Sequence, residues 1–144
     1  GQRLTFHKRS KDGSGKCNLT PEDAGMAYGV LYEMTSGDMT ALNAVEGPGY
    51  LGQLIGVTIG GQIYNPTIYV ARSGSIDESL VPYSWYLDLI VQGARYFNFP
   101  SNYISALQSV PSVSDGDAAR AQLHQALLIA MARHPALSRA LPTV

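Results

Sequence analysis

The feature that most constrains the fold is a pair of apolar runs separated by two glycines. Residues 51–59 and 63–71 are rich in β-branched and aromatic side chains, and Gly60-Gly61 lies between the two runs. Glycine adopts the positive φ angles of a tight turn at little cost, so this pattern predicts an antiparallel hairpin. Pro66 cannot donate a backbone hydrogen bond, and it therefore predicts an edge position or a bulge in the second arm.

The other segments place strands early in the chain and helices late. Residues 3–7 alternate between polar and apolar side chains and predict a short strand, followed by a turn at 11–16. The aromatic and β-branched content of residues 26–34 predicts a second, well-buried strand. Helices are predicted from a cap at Ser36 or Asp38 to Glu46, and then over residues 83–94, 101–107 and 117–133, the last with an apolar side formed by Leu123, Leu127, Leu128 and Met131. This order predicts an α+β fold.

Composition excludes several classes of function. A net charge of −1 gives no general attraction to nucleic acid or to an anionic membrane, and no apolar run reaches the roughly 18 residues of a membrane span. Cys17 is the single cysteine, so an internal disulfide is impossible and a cytoplasmic location is favoured. The three histidines are scattered along the chain, which argues against a metal site. We therefore expect no metal and no cofactor.

Positive charge is concentrated at the start of the chain. Half of the ten basic residues fall in the first sixteen positions; they are Arg3, Lys8, Arg9, Lys11 and Lys16. Two interpretations are open: a solvated hairpin, or a patch that attracts an acidic small substrate.

Glu46 differs from the other glutamates in its setting. Glu22 and Glu78 lie in polar loops, so solvent exposure is expected for both. Glu33 alternates with apolar neighbours at the end of the predicted strand, where a position at the rim is expected. Glu46 follows an apolar helix face and precedes a glycine- and proline-rich bend at residues 47–50, which can direct a side chain into a pocket. The residues alone leave two interpretations of Glu46, a functional carboxylate or a surface residue at a helix end.

Several short motifs, in their order and spacing, resemble the γ-glutamylcyclotransferase family. The resemblance covers residues 2–108 and includes a strand motif, a short helix that ends in a glutamate and a glycine, and a later helix. The matching segments are RLTF (3–6), YGVLY (28–32), LNAVEG (42–47), YSWY (83–86), GA (93–94) and FP (99–100).

The resemblance implies a fold, a reaction and a set of site residues. It implies a small β-barrel flanked by helices over residues 1–110, and the residue pattern adds a connector and an amphipathic helix over 111–144. Members of the family release 5-oxoproline from γ-glutamyl amides, because the substrate's own α-amine attacks its γ-carbonyl. The resemblance gives the proton-transfer role to Glu46 and substrate contacts to Tyr86 and Tyr50. The alternative is a non-catalytic small-molecule-binding or assembly domain on the same fold.

Two departures from the family pattern bear on activity. Asn43 stands where the family has aspartate. The family also begins with a Tyr-Gly-Ser-Asn strand and loop that cradles the glutamyl group, and no such motif precedes Arg3. We expect roughly 25–30 further residues to supply it, from ordinary strand and loop lengths. The sequence leaves open the identity of the γ-glutamyl substrate and the oligomeric state.

Overall fold

A computed structural model describes residues 1–133 of the chain. The chain divides into two compact units, Gly1–Leu80 and a second unit that begins at Val81. The described part of the first unit contains three two-stranded antiparallel sheets and one α-helix, and that of the second contains three α-helices. The predicted α+β class is therefore confirmed.

The first hairpin contains β1 (Gln2–Arg9) and β2 (Gly15–Pro21), which pair from Gln2 opposite Pro21 to Arg9 opposite Gly15. The strand predicted at residues 3–7 and the following turn are thus confirmed. In the turn, the Asp12 carboxylate accepts hydrogen bonds from the Ser14 backbone N–H and from Lys16 Nζ. Burial opposes ionisation of Asp12, but these hydrogen bonds outweigh it and lower its pKa to about 2.

The second hairpin is built from two successive pairs of strands. β3 (Tyr50–Leu54) pairs with β6 (Thr67–Ala71), and β4 (Val57–Ile59) pairs with β5 (Gln62–Tyr64) nearer the tip. Gly60 and Gly61 form the tip with φ angles of 55° and 81°, which confirms the predicted turn. Pro66 lies in the break between β5 and β6, so the predicted interruption is also confirmed.

The buried strand predicted at residues 26–34 is wrong. This segment forms no regular secondary structure, and Met26 and Tyr32 are 66% and 68% exposed. Aromatic and β-branched residues favour a strand mainly through packing against neighbouring strands. None of the described strands pairs with this segment, so its composition alone does not produce a strand.

α1 spans Ser36–Glu46 and begins with a reciprocal capping box. The Thr35 hydroxyl accepts a hydrogen bond from the Asp38 backbone N–H, and the Asp38 carboxylate accepts one from the Thr35 backbone N–H. The helix ends at Glu46 because Gly47 adopts a positive φ of 67°. The short helix predicted from the sequence is therefore confirmed, but the predicted cap at Ser36 or Asp38 is wrong, because Thr35 is the cap and Asp38 is its capping-box partner.

The second unit is built from α2 (Ser84–Tyr96), α3 (Ser101–Gln108) and α4 (Ala118–Arg133). Trp85 anchors it: its ring stacks on His124 at 3.7 Å between centroids, and its indole N–H donates to Asp115. The three predicted helices are confirmed. Of the side chains predicted to form an apolar side on α4, only Leu128 is buried, whereas Leu123 and Leu127 are exposed.

The predicted barrel is not among the described elements. Each of the three sheets in residues 1–133 has two strands, and none closes on itself. The division after Leu80 falls inside the predicted first domain, residues 1–110. No helix in this part of the chain has the length and apolar character needed to cross a membrane.

Candidate functional site

The candidate site lies in the first unit, where α1 ends and β3 begins. Glu46 is the last residue of α1, and its side chain is half-buried. A carboxylate at a helix C-terminus is electrostatically unfavourable, because the helix dipole places partial negative charge there. The last turn of α1 contains no basic residue to offset it. Stability of the helix therefore does not explain a glutamate at this position.

The positive charge that faces Glu46 comes from another element. Lys8, on β1, interacts electrostatically with Glu46, and its ammonium lies 4.6 Å from the centroid of the Tyr50 ring. This distance is typical of a cation–π contact. Burial lowers the pKa of Lys8 from its ordinary value, and Glu46 offsets part of that shift.

The described part of the protein supplies no hydrogen-bond partner to the carboxylate of Glu46 or to the ammonium of Lys8. Within the part of the chain that the structure describes, the side chains of Glu46 and Lys8 take part in no hydrogen bond, and no ion pair joins them. A partly buried charge without hydrogen-bond partners is costly. The arrangement therefore leaves a carboxylate and an ammonium available to a ligand.

Tyr50 supplies a ring face rather than a hydroxyl to this site. Its hydroxyl donates a 2.6 Å hydrogen bond to the backbone carbonyl of Cys17 on β2. Burial raises the pKa of Tyr50 above its ordinary value, and the nearby Cys17 and Glu46 raise it further. The hydroxyl therefore stays protonated and fixes the ring under Lys8. The predicted contact of Tyr50 with substrate stays a prediction, now through the ring.

A buried polar network lies next to Lys8 along β1. Asn18 on β2 accepts a 2.8 Å hydrogen bond from the Ala71 backbone N–H, so its amide nitrogen faces His7 Nε2, at 2.9 Å. His7 Nε2 must then accept, which leaves the proton on Nδ1, where it is donated to Glu78 at 2.9 Å. The network fixes His7, and hence the backbone of its neighbour Lys8, against β2 and β6.

Tyr86 lies on α2 in the second unit, whereas Glu46 and Tyr50 lie in the first. Its ring makes an edge contact with Trp85 at 5.9 Å between centroids. The predicted contact of Tyr86 with substrate stays a prediction.

The second unit has a cavity of its own. A cavity of about 300 Å³ is lined in part by Asp88, Gln92, Arg95, Gln108 and Gln125. None of the predicted site residues lines it. Among the described residues, no group of three or more His, Cys, Asp and Glu side chains is positioned to hold a metal ion.

Sequence reasoning singled out Glu46 but not Lys8. Lys8 was one of five basic residues near the start of the chain, and nothing in the sequence separated it from the other four. Lys8 differs from Arg3, Arg9 and Lys16 because those three pair with carboxylates, and from Lys11 because Lys11 is exposed. Both differences depend on the folded structure. Comparisons of the chain with known protein families, with curated proteins and with solved structures find no match.

Proposed function

We propose that this protein is a γ-glutamyl cyclotransferase that releases 5-oxoproline from a γ-glutamyl amide. The observation that carries the proposal is the half-buried Glu46 carboxylate, which has no hydrogen-bond partner among the described residues and interacts electrostatically with Lys8, whose ammonium lies over the Tyr50 ring. A free carboxylate suits the reaction, because the substrate supplies its own nucleophile and the protein needs only a group that takes a proton and returns it.

The reaction proceeds in two balanced steps. Glu46 takes a proton from the substrate α-ammonium, and the resulting amine attacks the γ-carbonyl carbon to form the five-membered ring. The bond between that carbon and the leaving nitrogen then breaks while Glu46 returns its proton to the leaving nitrogen, and the ring nitrogen loses its second proton to water. The products are 5-oxoproline and a free amine. Ring closure within one molecule supplies a large part of the rate, provided that the bound substrate is folded correctly.

The barrel and the cytoplasmic location expected from the sequence belong to the same proposal. Antiparallel pairing of all three sheets in the described residues supports a barrel-like arrangement. The single cysteine supports a reducing compartment.

The identity of the product tests the proposed function. We expect the protein to convert at least one of γ-L-glutamyl-L-alanine, glutathione and γ-glutamyl-lysine into 5-oxoproline and an equal amount of the free amine, measured by mass spectrometry. The α-N-acetyl form of the same compound should give no product, because its blocked nitrogen cannot attack. Release of glutamate instead would identify a hydrolase. Binding of all three compounds without turnover would select the non-catalytic binding domain.

A further inference from the structure

The five basic residues near the start of the chain have different surroundings. Three of them pair with carboxylates: Arg3 with Glu22 at 3.0 Å, Arg9 with Asp77 at 3.2 Å, and Lys16 with Asp12 at 2.8 Å.

The two other basic residues, Lys8 and Lys11, form no ion pair with any described residue. Lys11 is exposed in the hairpin turn, where water solvates its ammonium. Lys8 differs from Lys11 because it is partly buried, and it differs from the other three because no described carboxylate pairs with it.

The position of Lys8 is fixed from several sides. Its backbone pairs with β2 on one side and with Ile76 on the other, which fixes the position of its Cα. Gly49 lies directly against the side chain: a Cβ there would come within 3.0 Å of Lys8 Cε and 3.3 Å of Nζ. The absence of a side chain at residue 49 therefore makes the close approach of Lys8 to the Tyr50 ring possible.

The two free charges match one chemical group. Every γ-glutamyl compound carries an α-ammonium and an α-carboxylate on the same carbon atom. Glu46 is complementary to the ammonium, and the ammonium of Lys8 is complementary to the carboxylate. We propose that Lys8 binds the α-carboxylate of the γ-glutamyl group and thereby presents the α-ammonium to Glu46.

This inference rests on the proposed function and deepens it, since it assigns a specificity residue to the same site. Lys8 is a positioning and recognition residue and takes no proton in the reaction. Its consequence is a requirement for a free α-carboxylate: a compound in which that group is a neutral carboxamide loses the contact with Lys8 and is held less firmly for ring closure.

The test compares Lys8→Met with wild type on two probes, γ-L-glutamyl-L-alanine and the same dipeptide with its glutamyl α-carboxylate converted to a carboxamide. The loss of a charge-assisted hydrogen bond predicts that Lys8→Met lowers kcat/KM for the free acid by about tenfold or more. The same variant should change kcat/KM for the carboxamide by less than about twofold, because that probe makes no ionic contact with Lys8. Lys8→Arg should restore part of the loss, and Lys11→Met is the matched control, expected to behave as wild type on both probes.

Gly49→Ala provides a second variant that keeps the lysine. The added methyl group displaces the Lys8 ammonium, so this variant should also lower the preference for the free acid over the carboxamide. Equal losses on both probes, or unchanged preference in both variants, would overturn the role of Lys8.

Binding measured by calorimetry separates this inference from the proposed function. If wild type binds the free acid but releases no 5-oxoproline, and Lys8→Met weakens that binding by about tenfold, the enzyme proposal fails and the role of Lys8 stands. If 5-oxoproline is released and Lys8→Met keeps the wild-type preference, the enzyme proposal stands and the role of Lys8 fails. Failure of wild type to bind the free acid would overturn the role of Lys8 as well.

Discussion

Replacement of Glu46 by glutamine is expected to lower the rate of 5-oxoproline release by at least about 100-fold, within the range typical of lost general acid–base catalysis. Glutamine has nearly the same shape, but its amide cannot take the proton from the substrate α-ammonium. The Glu46 side chain forms no hydrogen bond with any described residue and the last turn of α1 contains no basic residue, so the substitution should leave the fold unchanged. The measurement is the rate under saturating substrate, together with the melting temperature.

Glu33→Gln is the matched control for this prediction. Glu33 is an exposed carboxylate in the irregular segment at 26–34, and its replacement should leave the rate at the wild-type value. A Glu46→Gln variant that keeps full activity would eliminate Glu46 as the proton-transfer residue. A variant that loses activity and also melts at a much lower temperature would identify Glu46 as a structural residue instead.

Replacement of Asn18 by leucine is expected to lower the free energy of unfolding by about 2–5 kcal/mol, from two buried partners that each lose a hydrogen bond. Asn18 is only 4% exposed, and it bridges His7 on β1 and the Ala71 backbone N–H on β6. Leucine has a similar volume but accepts and donates nothing, so the Ala71 backbone N–H remains buried and unsatisfied and His7 Nε2 keeps only the Thr5 hydroxyl as a partner. Chemical denaturation of wild type and variant measures the difference.

Gln53→Leu is the control for the stability effect. Gln53 carries an amide on a strand of the same unit, β3, but it is exposed. Its replacement should change the free energy of unfolding by no more than about 0.5 kcal/mol, as is usual for surface positions. A small effect of Asn18→Leu, equal to that of Gln53→Leu, would contradict the network assigned to His7 and Asn18.

The sequence predicted those elements whose causes are local. The tip of the second hairpin follows from the glycines at 60 and 61, which adopt positive φ angles, and the break in its second arm follows from Pro66. The end of α1 follows in the same way from Gly47. In each case the residue itself determines the backbone conformation, so no knowledge of distant contacts was needed.

The incorrect predictions concern features that depend on contacts between residues distant in sequence. Residues 26–34 have the composition of a buried strand, but a strand needs a pairing partner, and none of the described strands provides one. Likewise, the helix at 118–133 was predicted correctly, while the packing of Leu123 and Leu127 was not, since both are exposed. Helical spacing indicates which side chains share a face but not whether another element covers that face.

The candidate site likewise contains one residue that local features identify and one that only distant contacts identify. Glu46 could be identified from the apolar helix before it and the bend after it, which are both local features. The charge that faces it comes from Lys8, thirty-eight positions earlier in the chain (46 − 8 = 38). The sequence contains this lysine but gives no sign that Arg3, Arg9 and Lys16 are paired with carboxylates and Lys8 is not.

The most direct test of the central claim is to locate where a γ-glutamyl compound binds. We would titrate the isotope-labelled protein with γ-L-glutamyl-L-alanine and follow its backbone amide signals by NMR. We expect the largest shift changes at Lys8, Gly47, Gly49 and Tyr50, around the free carboxylate of Glu46. Shift changes confined to the cavity beside Gln92 and Arg95, or none anywhere, would contradict the assignment of Glu46 and Lys8 as the binding site.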